Sequence, residues 1–253
     1  MKHYHLIGIG GVSMSAIALL LRDAGHLVTG SDRQSSEIVR RLQESGIKVA
    51  IGHDARNVKP ADVVVYTAAI PQDNPEMVEA RARGIRLIER AEMLGALMDT
   101  YRHRVAVSGA HGKTTTVAMI GAILERAGLD PTVLFGTDRD NLRRGGRLVI
   151  VTEACEAFGS FLHMRPSIAV VLNIDADHLD YYGTVEKVED AFRKFAELVA
   201  GDGCIVACAD DDRVRRILRH HLPNQSGGKV SASLAAREGE SGIAARVVWF
   251  GLR

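Results

Sequence analysis

Short apolar runs alternate with stretches of helical periodicity along nearly the whole chain. The first run, His5-Leu6-Ile7, leads into Gly8-Ile9-Gly10-Gly11, and a 3.6-residue period follows over 14–21 until Ala24-Gly25 stops it. Strands are predicted over 27–30, 48–51, 62–66 and 85–88, with helices over 36–44, 74–83 and 91–98. In the helix over 74–83 Asn74 serves as cap and Pro75 sits at the first turn. Tyr101-Arg102-His103 is a polar break. The same alternation then resumes: strands over 104–107, 131–135, 148–152, 168–173, 203–208 and 246–250, and helices over 117–127, 184–199 and 211–218. Residues 136–146 are polar and turn-rich, and Pro223 to Gly242 is rich in Ser, Gly and Ala and reads as a flexible loop. Alternating strands and helices predict an α/β fold with parallel sheets whose ligands sit at the carboxyl edge. The break places one Rossmann-like domain over 1–102 and a second parallel-sheet domain over 103–253.

Composition narrows the chemistry. The net charge of +1 gives no electrostatic case for nucleic acid or an acidic membrane surface, and 5% aromatic residues leave little for base stacking. No apolar stretch reaches membrane-spanning length, and the N-terminus lacks a signal peptide's apolar region. Cys155, Cys204 and Cys208 are odd in number and have no metal-binding spacing, as expected of a reduced cytoplasmic protein. Cys204 and Cys208 lie in an apolar run and are expected to be buried thiols.

Two glycine turns carry the candidate chemistry. The first follows strand 5–7, and Asp32 stands 22 residues after Gly10, near where a ribose-binding acid belongs. Ser13 occupies the third glycine position of the dinucleotide fingerprint, so NAD and another diphosphate-bearing nucleotide both remain open. Thr67 to Pro71 follows a strand on the same edge and is a candidate ligand loop. The second turn is Gly109-Ala110-His111-Gly112-Lys113-Thr114, with Val107 where the strict phosphate-loop motif has glycine. Backbone N–H groups there can close on an anion, Lys113 can neutralise phosphate oxygens, and Thr114 can hold Mg²⁺. Strand ends deliver Glu153 and Glu156, then Asp175, Asp177, His178 and Asp180, a donor set suited to Mg²⁺ beside phosphates.

These residues resemble the Mur ligases, ATP-dependent amide-bond-forming enzymes of peptidoglycan precursor synthesis. The resemblance rests on Ile7 to Ser15, Gly30-Ser31-Asp32, Ala69-Ile70 with Asn74-Pro75-Glu76, Ser108 to Thr116, Glu153 to Glu156, Ser160-Phe161-Leu162 and Asn173 to Asp180. It implies that the first turn holds a UDP-sugar, through Gly8, Gly10, Gly11, Ser13, Asp32, Thr67 and Ala69. It implies ATP on Gly109, Ala110, His111, Gly112, Lys113, Thr114 and Thr115. Lys113, Glu153 and His178 would be catalytic, and Thr114, Glu153 and His178 would hold Mg²⁺. The implied reaction joins L-alanine to the carboxylate of UDP-N-acetylmuramate through an acyl phosphate. A non-catalytic fragment binding the UDP-sugar and ATP, and a sibling ligase adding a peptide to the same sugar, stand as alternatives. An NAD-dependent oxidoreductase is disfavoured, because it has no use for Lys113-Thr114 and Asp177-His178. In the family the central domain continues beyond the equivalent of residue 253 into an adenine-binding stretch, and a third domain binds the amino acid. The ATP domain is therefore expected to be incomplete here. The family's glycine-asparagine loop looks shortened, with Asn141 as its remnant, and Pro223 to Gly242 looks inserted. Nothing in the pattern specifies an oligomeric state.

Overall fold

The computed structural model describes residues 1–137, 141–219 and 245–251. They form two compact units: Met1–Leu97 with Leu134–Arg143, and Met98–Val133 with Arg144–Arg253. The segment Pro223 to Gly242 lies outside the described residues.

The first unit alternates β1 (His3–Ile7), α1 (Val12–Asp23), β2 (Leu27–Asp32), α2 (Glu37–Glu44), β3 (Lys48–Ile51), a 3-10 turn (Ala55–Val58), β4 (Val63–Tyr66), α3 (Pro75–Ala82), β5 (Arg86–Glu89) and α4 (Arg90–Met98). Its five strands lie in the order β3-β2-β1-β4-β5, all parallel. β1 is buried throughout, as a central strand covered on both faces must be. Ile7 and Val64 pack with Val58 and with Met77 and Ala80 of α3. Local chemistry starts the helices: Ser36 accepts from the Val39 amide, and Asn74 accepts from the Glu76 amide ahead of Pro75.

The second unit contains β6 (His103–Ser108), α5 (Lys113–Arg126), β7 (Thr132–Leu134), β9 (Val149–Glu153), a 3-10 segment (Ala157–His163), β10 (Ile168–Val171), α6 (Leu179–Tyr182), α7 (Val185–Glu197), β11 (Cys204–Cys208), α8 (Asp212–Ile217) and β12 (Arg246–Phe250). With the short β8 (Leu142–Arg143), the second sheet runs β12-β11-β10-β6-β9-β7-β8. β6 is parallel to both neighbours, with Val107 beside Glu153 and Ser108 beside Val171. The carboxyl ends of β6, β9 and β10 therefore emerge side by side. Phe161 stacks on Phe195 at 4.8 Å and meets Phe192 edge-on at 5.2 Å, fixing α7 under the chain that leaves β9.

Three expectations need correction. α5 begins at Lys113, not at residue 117, because its first turn, Lys113 to Thr116, is polar and carries no apolar period. Cys204 and Cys208 are half-buried: β11 alternates, and both thiols sit on its less covered face. The turn-rich stretch 136–146 contains β8. Among the described residues no helix is long and apolar enough to cross a membrane.

Candidate functional site

The second glycine turn joins β6 to α5. Gly109 has φ 144°, and a Cβ there would lie 3.0 Å from Leu172 Cβ and 3.2 Å from the Asn173 amide nitrogen, so only glycine fits without displacement. Gly112 caps α5 in the left-handed region and offers no side-chain acceptor, so the first-turn N–H groups of α5 have no capping side chain. Asn173 fastens the turn: its Oδ1 accepts from the His111 amide at 2.9 Å, and its Nδ2 donates to the His111 carbonyl at 3.0 Å.

Lys113 Nζ folds back over this turn. It donates to the carbonyls of Gly109 and Ala110 and to both carboxylate oxygens of Glu156, at 3.2 and 3.0 Å. Thr114 Oγ1 donates to Glu153 Oε1 at 2.7 Å. Two carboxylates thus flank the turn, one at the lysine and one at the threonine. Thr115 is exposed on the first turn of α5. His178 has φ 54° and caps α6, and its amide donates to Asp177 Oδ1 at 2.8 Å. One ligand atom each from Glu156, Asp177 and His178 lie within 4.8 Å of one another. The structure therefore puts Glu153 with Thr114, and groups His178 with Glu156 and Asp177. The hydroxyl and carboxylate oxygens gathered beside the glycine turn are a donor set that fits Mg²⁺, a hard ion bound through a few oxygen ligands and substrate phosphates. The Tyr182 hydroxyl donates to the Glu156 carbonyl at 2.5 Å. Burial, and after it the neighbouring Tyr181, push the Tyr182 phenol up to about 12, so it stays a donor near neutrality.

The first glycine turn is built differently. The Gly8 and Ile9 amides both donate to the Ser31 carbonyl, at 2.8 and 3.0 Å, and the Gly10 amide donates to Asp32 Oδ2 at 2.9 Å. A Cβ on Gly10 would lie 2.8 Å from Asp32 Oδ2 and 2.9 Å from Val39 Cγ2, which is the close approach the glycine permits. An open cleft of about 790 Å³ is lined by Gly10, Gly11, Val12, Ser36, Glu37, Ile38 and Arg41, a volume in the range of small-molecule sites. Of the residues expected to hold the UDP-sugar, Gly10 and Gly11 line this cleft, and Gly8 and Asp32 shape the turn. Ser13 accepts from Arg90 Nη1 at 3.3 Å. Thr67 and Ala69 lie in the turn after β4 and do not line the cleft. Asn141 Nδ2 donates to the Val12 carbonyl at 2.6 Å and to Ser15 Oγ at 2.7 Å, so it supports the first turn of α1.

Behind the first turn lies a buried carboxylate, Glu76. It accepts from Ser31 Oγ at 2.6 Å, Asn57 Nδ2 at 2.7 Å, the Asp54 amide at 3.2 Å and His5 Nε2 at 3.3 Å. Burial by itself would raise its pKa, but hydrogen bonds from His5, Ser31 and Asn57 together hold it below the usual carboxylate value.

Family models match both parts of the chain: the Mur ligase catalytic domain over residues 3–102 and the Mur ligase middle domain over residues 107–246. The chain belongs to the Mur ligase family. It is similar to UDP-N-acetylmuramate–L-alanine ligase of Caldicellulosiruptor saccharolyticus, 53% identical over 230 residues that cover 88% of this chain and 50% of the relative. Among solved structures it is similar to UDP-N-acetylmuramate-alanine ligase from Thermotoga maritima, with 31% identity, a TM-score of 0.78, and 86% of this chain and 51% of that one covered. It is similar also to UDP-N-acetylmuramate:L-alanyl-γ-D-glutamyl-meso-diaminopimelate ligase from Neisseria meningitides, with 27% identity, a TM-score of 0.79, and 100% and 78% covered. The chain spans about half the length of the curated relatives it matches.

Sequence reasoning gave no individual role in this Mur ligase to Asn173, Arg90 or Glu76, and counted Glu156 among the acids suited to Mg²⁺ without pairing it to Lys113. Glu156 and Asn173 stood in plain view at strand ends. Their partners lie 43 and 62 residues away, and no local pattern announces such pairings.

Proposed function

We propose that the chain forms the UDP-sugar-binding and ATP-binding parts of a cytoplasmic ligase that joins L-alanine to the carboxylate of UDP-N-acetylmuramate. Residues 1–102 take the nucleotide sugar and residues 103–253 take ATP. The carrying observation is the convergence of Lys113, Thr114 and Glu153 where β6 and β9 end, around a glycine turn that opens α5. In this reading ATP sits on the turn from Gly109 to Thr115, Lys113 turns to the β- and γ-phosphates, and the first-turn amides of α5, which have no capping side chain, face the anion. Mg²⁺, held by Thr114 and Glu153 with His178 facing a second ion, would neutralise charge on the transferring phosphoryl group. A carboxylate oxygen of the sugar attacks the γ-phosphorus and ADP leaves; the amine of L-alanine then attacks the acyl carbon and phosphate leaves. The protein contributes positioning and charge neutralisation rather than a covalent step of its own.

Phosphate release tests this. Release that needs ATP, UDP-N-acetylmuramate and L-alanine together supports the reading. The similarity to the Neisseria meningitides enzyme across the whole chain favours one alternative, a ligase adding a peptide to the same sugar. Release with L-alanyl-γ-D-glutamyl-meso-diaminopimelate but not with L-alanine would establish that alternative. Binding of both nucleotides with no release from either amine would leave a binding fragment.

A further inference from the structure

We propose that Glu156 is a positioning residue that couples a divalent cation to nucleotide binding: it holds Lys113 while phosphates are absent and requires a cation once they arrive. The inference rests on the assignment of Lys113 to nucleotide phosphates. Glu156 is 1% exposed, and both of its oxygens face Lys113 Nζ. The other acceptors of that ammonium are the Gly109 and Ala110 carbonyls, so its donors are committed to the turn's own backbone and to Glu156.

The carboxylate is not free to swing out. The Glu156 carbonyl accepts from the Tyr182 hydroxyl and from the Gly159 amide, at 2.5 and 2.9 Å. The chain then doubles back through Phe158 and Gly159, both left-handed, with φ 54° and 67°. A phenylalanine in that region is strained, and such strain persists only where surrounding contacts over-determine it. Lys113 must leave Glu156 to reach β- and γ-phosphate oxygens. A buried carboxylate that loses the cation it is paired with is strongly destabilising. The Asp177 carboxylate, with a ligand atom within 4.8 Å of one on Glu156, deepens the need for positive charge. A divalent cation arriving with the nucleotide removes the penalty. Nucleotide and cation therefore bind with positive, reciprocal coupling through Glu156. Glu153 does a separate job at Thr114.

The test is the affinity of a fluorescent N-methylanthraniloyl-ATP, by anisotropy, with and without Mg²⁺, for the unaltered chain, Glu156→Gln and Glu156→Asp. Glu156→Gln should bind the Mg²⁺-free nucleotide more tightly than the unaltered chain, on the order of tenfold, and its gain on adding Mg²⁺ should shrink by the same factor. Glu156→Asp should keep the Mg²⁺ dependence. Weaker binding of Glu156→Gln with and without Mg²⁺ alike is the mark of a merely structural residue and overturns the proposal. If circular dichroism shows Glu156→Gln unfolded, the exposed Asp177→Asn carries the test: an undiminished Mg²⁺ effect counts against the proposal and a reduced one supports it. Failure of the unaltered chain to bind the nucleotide at all would overturn the reading of the turn, and this inference with it.

Discussion

Two glycine turns leave the carboxyl ends of two central parallel strands, and each opens a helix whose capping glycine supplies no side-chain acceptor. The first turns of the two helices, neither capped by a side chain, make the same offer to an anion. Their side chains do not. At the first turn four amides are already committed, two to the Ser31 carbonyl, one to Asp32 and one to the Gly8 carbonyl, and the charge at the turn is negative. At the second, the charge folded over the turn is the Lys113 ammonium, and carboxylates stand one step back. A turn that carries its own carboxylate suits a ligand presenting hydroxyl donors next to a diphosphate. A turn with lysine, hydroxyl and acids suits terminal phosphates with their metal ion. The strand-turn-helix shape specifies that an anion can sit there; the charges around it specify which one.

The comparison breaks most visibly at Lys113. Lys113→Ala should weaken ATP–Mg²⁺ binding on the order of a hundredfold, the scale of losing a charged phosphate contact in a preorganised site. UDP-N-acetylmuramate binding should stay within about twofold if, as proposed, it uses the other turn. Isothermal titration with each ligand checks both, and loss of both together would mean the turns are not independent.

Gly10→Ala is the reciprocal break. Its Cβ would press on Asp32 Oδ2 and Val39 Cγ2, at 2.8 and 2.9 Å. The first unit should lose about 1–3 kcal/mol and bind UDP-N-acetylmuramate roughly tenfold more weakly, with ATP binding preserved. Urea denaturation and the same titrations give the two readouts.

The acid limb of stability sharpens the contrast from beneath the first turn. The folded pKa of Glu76 is depressed, so its stabilising contribution is complete above the unfolded value of about 4.3 and is lost as pH falls through the folded value. Melting of the unaltered chain should therefore fall steeply below about pH 4.3. Glu76→Gln should lose roughly 1–3 kcal/mol near neutrality and show a shallower acid limb. A variant as acid-sensitive as the parent would remove Glu76 from the account.

The smallest effect is expected at Ser36, the α2 cap beside the cleft. Ser36→Ala should cost about 1 kcal/mol without abolishing either ligand. A large loss of UDP-sugar binding would instead show that the hydroxyl touches the ligand.

Much of this was legible from the chain alone, for identifiable reasons. The parallel α/β architecture follows from apolar runs that alternate with helical periods, and Ser36, Asn74, Thr184 and Asp211 cap helices by contacts spanning two or three residues. What escaped depends on distance or on function. The first turn of α5 was missed because Lys113 to Thr116 are polar where a core-facing helix would be apolar. Glu156 showed as an acid at a strand end, but its partner is set by the parallel pairing of β6 with β9. The short helix α6 and the doubling-back at Phe158 and Gly159 have no periodic signature. The half-buried cysteines were read from the apolarity of their run, while their exposure is set by the alternation of β11.

The central claim is that one chain carries two nucleotide sites of different chemistry. Isothermal titration of the unaltered chain with UDP-N-acetylmuramate, with ATP–Mg²⁺ and with NAD tests it most directly. The account predicts that UDP-N-acetylmuramate and ATP–Mg²⁺ each bind, that neither displaces the other, and that NAD does not bind. Binding of NAD without binding of UDP-N-acetylmuramate would contradict it.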